Sequence, residues 1–243
     1  MGCFQNQIAV VTGASSGIGR AIAMDFASQG AEVCLVSRRR EVLELVAQET
    51  RAKGGRAHVC CADLTRGEDI DTLATTVQQS FGGVELLVLC GGVMVLGTTE
   101  QATLDQFDLQ YHSNVRGYYA LVQALLPLLR RRQGQVVFIN SSVATRPSAS
   151  GGGQYAAMQY ALRAIADSLR DEVNPDGIRV LSVYLGRTAT PRMAALFEKE
   201  GRAYRPELLI QPQDVATMVT MALRLPRTAE VTEIRIRPMT KSY

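Results

Sequence analysis

Tyr155 and Gln159 lie four residues apart in the stretch GQYAAMQYAL, residues 153–162. Residues with this spacing share one face of a helix. A tyrosine hydroxyl can pass a proton to or from a bound molecule, provided that its surroundings lower its pKa from about 10. The amide of Gln159 can donate and accept hydrogen bonds, but it carries no charge that would favour a phenolate. The pair therefore predicts proton transfer at Tyr155 and leaves its activation unexplained.

A glycine-rich stretch, TGASSGIG at residues 12–19, follows the apolar run IAVV and precedes an amphipathic helical pattern. Glycines let a backbone turn sharply and approach a diphosphate, and the amides at a helix N-terminus then face the anion. Because a strand and a helix flank this stretch, we predict a dinucleotide site here. Its expected residues are Gly13, Ser15, Ser16, Gly17, Ile18 and Gly19.

The end of the second apolar run, LVSRRR at residues 35–40, indicates which dinucleotide is bound. An acidic residue at this place would bond the ribose 2′-hydroxyl of NAD, whereas arginine can hold a 2′-phosphate with paired N–H groups. Ser37, Arg38 and Arg39 supply no carboxylate. We therefore predict NADP(H) as the cofactor, with Arg40 as the solvated first residue of the next helix.

Short apolar runs alternate with longer amphipathic segments along the chain. We predict strands at residues 8–11, 32–37, 57–61, 84–89, 135–140, 178–184 and 230–237, and helices near 18–29, 40–53, 67–81, 103–132, 153–174 and 212–224. Strands that are apolar on both faces belong to a parallel sheet covered on both sides. The pattern predicts one α/β domain over residues 1–243, with a Rossmann-type, doubly wound, mainly parallel seven-stranded sheet and helices on both faces.

Two segments depart from this alternation. The last strand contains VTEIRIR, in which polar and apolar residues alternate, as expected of an edge strand with one wet face. Residues 185–209 form the longest stretch between core elements. In such folds, segments beyond the carboxyl ends of the strands lie over the ligand. We expect 185–209 to be a loop-like segment that covers the substrate.

Composition narrows the classes of function. With 47% apolar and 20% charged residues, the chain can bury a large core, and a net charge of +3 is too small to indicate nucleic-acid binding. No apolar run approaches 18 residues and no signal peptide is evident, so we expect neither a membrane span nor secretion, but a cytoplasmic protein. Five cysteines without zinc-site spacing and two histidines predict reduced thiols and no metal site.

Several motifs occur together and in register: TGASSGIG, Asp63 in ADLT, SNVRG, INSS, Tyr155 and GRTATP. In this combination the chain resembles the short-chain dehydrogenase/reductase family, classical type, over essentially its whole length. The resemblance implies hydride transfer between a nicotinamide cofactor and a carbonyl or alcohol carbon of a small molecule. It also implies that two long amphipathic helices pair across a two-fold axis, so a homodimer or homotetramer is expected.

The resemblance also implies roles for individual residues. Tyr155 is the acid/base, Ser142 orients the substrate oxygen, and Asn114 interrupts a helix and holds a water that relays protons. The remaining cofactor contacts are Asp63 and Leu64 at the adenine, Cys90, Gly91 and Gly92 in place of the family's Asn-Asn-Ala-Gly turn, Gly186, Thr188 and Thr190 near the nicotinamide, and Gln159 at the ribose. Cys90 is expected to pack rather than to react.

Gln159 departs from the family, which has a lysine at this place. The lysine lowers the pKa of the tyrosine and bonds the nicotinamide ribose, and an amide can do only the second of these. Arg163, one turn further along the helix, and Arg146, in the loop after Ser142, are alternative sources of charge. Arg163 is more simply a solvated helix residue, and we expect neither arginine to replace the lysine. Two functions stay open: an NADP(H)-dependent reductase or dehydrogenase with weakened or altered catalysis, and an NADP(H)-binding pseudoenzyme, such as a sensor or a supporting subunit.

Overall fold

A seven-stranded sheet organises residues 2–146 and 150–240, which are those that the computed structural model describes. The strand order is β3-β2-β1-β4-β5-β6-β7, and each neighbouring pair is parallel. The strands are β1 (Ile8–Thr12), β2 (Glu32–Ser37), β3 (Arg56–Cys61), β4 (Leu86–Leu89), β5 (Gln135–Ser141), β6 (Arg179–Leu185) and β7 (Glu233–Ile236). The predicted doubly wound fold is confirmed, and its sheet is parallel throughout these pairings.

Helices connect the strands and cover both faces of the sheet. They are α1 (Gly17–Ser28), α2 (Arg40–Ala52), α3 (Gly67–Phe81), α4 (Leu104–Tyr111), α5 (Gly117–Arg132), α6 (Gly153–Val173), α7 (Pro191–Lys199) and α8 (Pro212–Leu223). Within the described ranges, none of these helices has the length and apolarity needed to cross a membrane.

Successive strand residues enter two different cores, one on each face of the sheet. Val11 packs with residues of α1, α2 and α8, whereas its neighbour Val10 packs with residues of α3, α5 and α6. Both valines are fully buried, as are Phe26 on the first face and Leu121 on the second. Each such side chain contributes roughly 1.5–3 kcal/mol by leaving water. This two-sided burial explains why the central strands, such as β1 and β4, are largely apolar at successive positions rather than at alternate ones.

The helix predicted at 103–132 is interrupted. Between α4 and α5 lies a π-helical turn, His112–Arg116, whose central residue is the buried Asn114. The side-chain amide of Asn114 donates to the carbonyl of Val93 and accepts from its N–H, both at 2.7 Å. A π-turn inserts one residue into a helix and re-aims its side chain, which here points Asn114 at the loop after β4.

The segment 185–209 is not a loop throughout, which corrects the expectation. It contains α7 and a short 3-10 turn, Pro206–Leu208. The N-cap of α7 is Thr190, whose hydroxyl accepts from the N–H of Met193 at 3.2 Å, and Pro191 follows at the first helical position. Threonine at the cap and proline after it are strong helix-start signals, so the sequence TPRM already encoded this helix.

The last strand, β7, lies at the edge of the sheet as predicted. It pairs only with β6 in the strand order, and three of its four residues are half-buried. The opposite edge is β3, whose residues are partly exposed. Edge strands of this kind carry charged side chains that discourage pairing with another sheet, and Arg235 in β7 and Arg56 in β3 do so here.

The ends of β1 and β4 are joined by one buried side chain. The hydroxyl of Thr12 donates to the carbonyl of Cys90 at 2.9 Å and accepts from the N–H of Cys90 at 2.8 Å. Thr12 is 1% exposed, so water cannot replace it. Because strand order reverses between these two strands, this contact fixes the point where ligands bind in open α/β sheets.

Replacing Thr12 by valine should destabilise the fold by about 2 kcal/mol or more, because both backbone groups of Cys90 would lose their partner in a buried place. Urea denaturation measures the change. The matched control is Thr76→Val in α3, where an exposed hydroxyl donates to the carbonyl of Thr72, and it should shift the stability by less than about 0.5 kcal/mol. Equal shifts in the two variants would contradict this role of Thr12.

Candidate functional site

A cleft of about 1000 Å³ opens at the carboxyl ends of the strands. The structure brings all of the predicted site residues to its walls. They are Gly13, Ser15, Ser16, Gly17, Ile18, Gly19, Ser37, Arg38, Arg39, Asp63, Leu64, Cys90, Gly91, Gly92, Asn114, Ser142, Tyr155, Gln159, Gly186, Thr188 and Thr190. Their convergence from eight different segments is a structural finding, whereas their individual roles stay predictions.

The glycine loop forms one end of the cleft and presents an uncapped helix. Gly13 has φ +63°, and a Cβ there would lie 2.4 Å from the carbonyl oxygen of Cys90, so only glycine fits. Ser16 is the N-cap of α1, yet its side chain caps nothing, and the first turn of α1 holds no acidic residue. The first N–H groups of α1 are thus available to an anion in the cleft.

Ser37, Arg38 and Arg39 follow at the end of β2, one strand away from the glycine loop. Both arginines are exposed and line the cleft. Arg40 instead begins α2, where its guanidinium lies 3.9 Å from Glu44 on the outer surface. The three consecutive arginines therefore separate as expected, two at the cleft and one on the solvated helix.

Tyr155 lies in the first turn of α6 with its phenol in the cleft. Burial raises the pKa of this phenol above its usual value, and it is the largest influence. The positive charge of Arg192 and a hydrogen bond with the side chain of Ser141 act in the opposite direction and lower the pKa. The net result is a phenol that stays protonated at neutral pH.

The hydroxyl that bonds Tyr155 belongs to Ser141, which the sequence reasoning missed. Ser141 is the last residue of β5, and its hydroxyl also accepts from the N–H of Val143 at 3.4 Å. Ser142 begins the following 3-10 turn and lines the cleft beside it. Both serines belong to the INSS motif, residues 139–142. The family's spacing between serine and tyrosine matches only the second of them, Ser142.

Gln159 lies one helical turn after Tyr155 and is 5% exposed. Its backbone carbonyl accepts from the side-chain amide of Asn140 at 3.1 Å, while the Asn140 side-chain oxygen accepts from the N–H of Ser141 at 2.6 Å. Asn140 thus joins the end of β5 to α6 and fixes the distance between Ser141 and Tyr155. Nothing in the sequence motifs singled out this buried asparagine.

The two arginines considered as sources of charge point elsewhere. The guanidinium of Arg163 donates to the carbonyl of Ala144 at 3.2 Å and pairs with Asp167 at 3.7 Å and Glu233 at 3.5 Å. Arg146 is exposed at the rim. Neither contributes to the pKa of Tyr155, and Arg163 is part-buried in ion pairs rather than a solvated helix residue.

The cation near Tyr155 is Arg192, from the second position of α7. Its guanidinium reaches across the cleft and donates to the carbonyl of Gly92 at 2.5 Å. It lowers the pKa of three groups that face the cleft, Tyr155, Tyr118 and Cys90. The sequence motifs do not identify Arg192, because the sequence predicts a loop in place of α7 and a loop does not define the direction of its side chains.

Cys90 lies on the cleft wall but is nearly inaccessible. It is 5% exposed, and burial raises the pKa of its thiol to about 12. A thiol that stays protonated at neutral pH is a poor nucleophile. Cys90 therefore packs between the glycine loop and α5, as expected of this residue.

Comparisons with known proteins identify relatives over most of the chain. The short chain dehydrogenase family model matches residues 7–201. An uncharacterized oxidoreductase of Staphylococcus epidermidis is 32% identical over 97% of this chain and 98% of its own length. The glycine betaine reductase ATRR of Emericella nidulans is 34% identical over 98% of this chain, which corresponds to 19% of that longer protein.

Two solved structures share the fold closely. A metagenomic short-chain oxidoreductase in complex with NADP is 29% identical, covers 98% of this chain and 100% of its own, and superposes with a TM-score of 0.85. The L-sorbose reductase of Gluconobacter frateurii, complexed with NADPH and L-sorbose, is 27% identical over 97% and 96% of the two chains, with a TM-score of 0.88. With its glycine loop, its cleft and its family match taken together, the chain belongs to the short-chain dehydrogenase family of oxidoreductases.

Proposed function

We propose that this protein is an NADP(H)-dependent oxidoreductase that interconverts a carbonyl and an alcohol by hydride transfer. The observation that carries the proposal is the position of the Tyr155 phenol, which shares one cleft with the serine hydroxyls and the uncapped start of α1. A proton donor and an anion-binding helix end are the two features that such a reaction requires of the protein.

The residues of the cleft fit NADP(H). The Gly13 turn and the free amides of α1 suit the diphosphate, and Gly17, with φ +54°, leaves only 3.1 Å between a Cβ and Thr190 of the covering segment. Arg38 and Arg39 suit a 2′-phosphate. Two of the similar structures hold NADP or NADPH, which supports the same choice here.

The chain's own residues would bind and protonate the substrate. When bound, the cofactor supplies or accepts the hydride. Tyr155 then exchanges a proton with the substrate oxygen, and Ser141 and Ser142 offer hydroxyls to the same atom. Gln159, in the place of the family lysine, donates and accepts hydrogen bonds at the nicotinamide ribose.

The protonation state of Tyr155 favours carbonyl reduction. Reduction consumes a proton, which a protonated phenol can give, whereas alcohol oxidation needs the phenolate as base. Because burial raises the pKa of Tyr155 and Gln159 adds no charge, the phenolate is scarce at neutral pH. We infer a reductase whose reverse reaction requires alkaline conditions.

The substrate is proposed to be an apolar carbonyl compound. Beyond Tyr155, the cleft is lined by Met94, Leu96, Met193 and Leu196. Side chains of this kind gain free energy by excluding water and give little support to a sugar hydroxyl. The proposal thus differs from the substrate of the L-sorbose reductase.

A second function is an NADP(H)-binding protein without turnover. It is supported by the same raised pKa of Tyr155, since nothing on α6 supplies the charge that would lower it. In this case the wild-type protein and the variant Gln159→Lys would both bind NADPH, and neither would reduce any carbonyl compound.

We further propose a single catalytic domain that pairs with copies of itself in the cytoplasm. The outer faces of α4, α5 and α6 expose Leu104 (81%), Tyr119 (50%) and Tyr160 (46%). Large apolar side chains exposed on the outer helices of a single chain are typical of an interface between copies.

Replacing Arg38 by alanine should weaken NADPH binding about 10- to 100-fold and leave NADH binding unchanged, because a charge-assisted hydrogen bond contributes about 1.5–3 kcal/mol. Fluorescence titration with each reduced cofactor measures this. Arg40→Ala removes a neighbouring charge outside the cleft and should change neither affinity. If Arg38→Ala loses affinity for both cofactors equally, Arg38 does not select the phosphate.

Gln159→Lys should increase the rate of alcohol oxidation at neutral pH by about tenfold or more, because an ammonium one turn from Tyr155 favours its phenolate. Steady-state absorbance of NADPH with a panel of reactive ketones and their alcohols measures both directions. Gln159→Met, of similar length and without charge, should gain nothing, and Tyr155→Phe should abolish both reactions. Equal rates in the Lys and Met variants would refute the role of charge.

Arg192→Gln should shift the alkaline rise of alcohol oxidation to higher pH, because the pKa of Tyr155 rises further when the nearby positive charge is lost. A titration of tyrosine labelled with ¹³C at Cζ, with Tyr155→Phe to assign the signal, measures the same shift without cofactor. Arg146→Gln, which removes an exposed charge at the rim, is the matched control. An unchanged titration in Arg192→Gln would show that solvent screens its charge completely.

A further inference from the structure

Three cysteines, Cys34, Cys60 and Cys61, lie near one another in the two strands at one edge of the sheet, β2 and β3. The Sγ atoms of Cys34 in β2 and Cys60 in β3 lie 2.6 Å apart. The thiol of the next residue, Cys61, donates to the carbonyl of Arg38 at 3.2 Å. All three are free thiols in the structure. None has a part in the proton or hydride transfer of the cleft, so the cluster is unexplained by the proposed function.

The strand register makes Cys34 and Cys60 diagonal neighbours on the same face. Cys34 is opposite His58, and Cys60 is opposite Val36, two positions further along. Both sulfurs lie on the face of the sheet that packs against α3 and α5, so they meet across the two strands. A disulfide bond is about 2.0 Å long, so a small movement would suffice to form one.

The position of β3 permits this movement. It is the outermost strand and pairs only with β2 in the strand order. A shift of Cys60 toward Cys34 therefore disturbs no further strand. Cys61, although adjacent in sequence, points to the opposite face of β3, since successive side chains alternate, and it cannot take the place of Cys60.

The two thiols differ in exposure to solvent and in the direction of their pKa shifts. Cys60 is partly exposed, and the hydrogen bond from Cys34 and the charge of Arg40 lower the pKa of its thiol. Cys34 is fully buried, and the same hydrogen bond, together with burial, raises the pKa of its thiol. Because Cys60 is the more accessible of the two, it is the sulfur that meets an oxidant, and Cys34 is the buried thiol held beside it.

We propose that Cys34 and Cys60 are a reversible redox site that forms a cross-strand disulfide when a hydroperoxide is present. The thiolate sulfur of Cys60 attacks the terminal oxygen of the hydroperoxide, and the O–O bond breaks. Cys60 becomes a sulfenic acid, and the other oxygen leaves as alkoxide, or as hydroxide when the oxidant is hydrogen peroxide. The sulfur of Cys34 then attacks the sulfur of Cys60, the S–O bond breaks, and water leaves with the proton of Cys34. Two electrons pass from the thiols to the peroxide, and an external dithiol returns them.

This site is independent of the proposed hydride transfer. Its bond would join β2 to β3 directly below Ser37, which is opposite Cys61 in the register. Ser37 and Asp63, which follow the two strands, line the cleft. Formation of the disulfide would thus change the positions of residues at the end of the cleft where Arg38 and Arg39 lie.

The test is to treat the protein with a small excess of hydrogen peroxide, block the remaining thiols by alkylation, and map the peptides without reduction. We expect a peptide pair linked through Cys34 and Cys60, a loss of two of the five thiols, and full recovery with dithiothreitol. Cys61→Ser should behave like the wild type. Cys60→Ser should lose no thiol pair at the same dose.

A second variant separates the two chemical steps. In Cys34→Ser, the sulfenic acid on Cys60 lacks its partner, so dimedone should label Cys60 in this variant and only weakly in the wild type. Should peroxide instead link Cys60 to Cys61 or to a second chain, oxidise it irreversibly, or leave all five thiols titratable, the proposal is overturned.

Discussion

The structure depends on the contact between the hydroxyl of Thr12 and the backbone of Cys90. The strand order reverses at this place: from β1 the chain continues to β2 on one side, and from β4 it continues to β5 on the other. Two hydrogen bonds from one buried side chain keep the strand ends together. The glycine loop lies on one side of this contact and Gly91–Gly92 on the other, so it sets the width of the cleft in which all later chemistry takes place.

Within the cleft, burial and charge oppose each other at one phenol. Burial of Tyr155 dominates and keeps the proton on oxygen, while Arg192 and Ser141 favour its release. A solvated phenol, with a pKa of about 10, is already protonated at neutral pH, so burial strengthens the protonated state while Arg192 and Ser141 limit that effect. This balance of influences on the pKa suits the proposed proton donor. It depends on Arg192 in α7, which is the one of the three influences that comes from the segment 185–209.

Much of the fold was readable from the sequence because the parallel sheet imposes an obvious pattern. Strands buried on both faces must be apolar throughout, and the glycines near Gly13 must adopt backbone angles that other residues avoid. The break at Asn114 is predicted only by the family resemblance and not by the helical pattern, because the side chain of Asn114 bonds Val93, which is distant in sequence. The site was predicted as a set of positions by family resemblance, but Ser141, Asn140 and Arg192 were not, since their contributions depend on side-chain directions that no motif specifies.

The hydrogen bond from Arg192 to the carbonyl of Gly92 joins α7 to the loop after β4 across the cleft. A molecule that separates Arg192 from Gly92 breaks a charge-assisted hydrogen bond. The lost free energy is offset only if the molecule offers its own acceptor to the guanidinium. Compounds with a suitably placed oxygen enter at little cost, and pure hydrocarbons do not. Arg192 thus favours molecules that carry a hydrogen-bond acceptor over molecules that lack one, and this selection is separate from the proton transfer at the Tyr155 phenol.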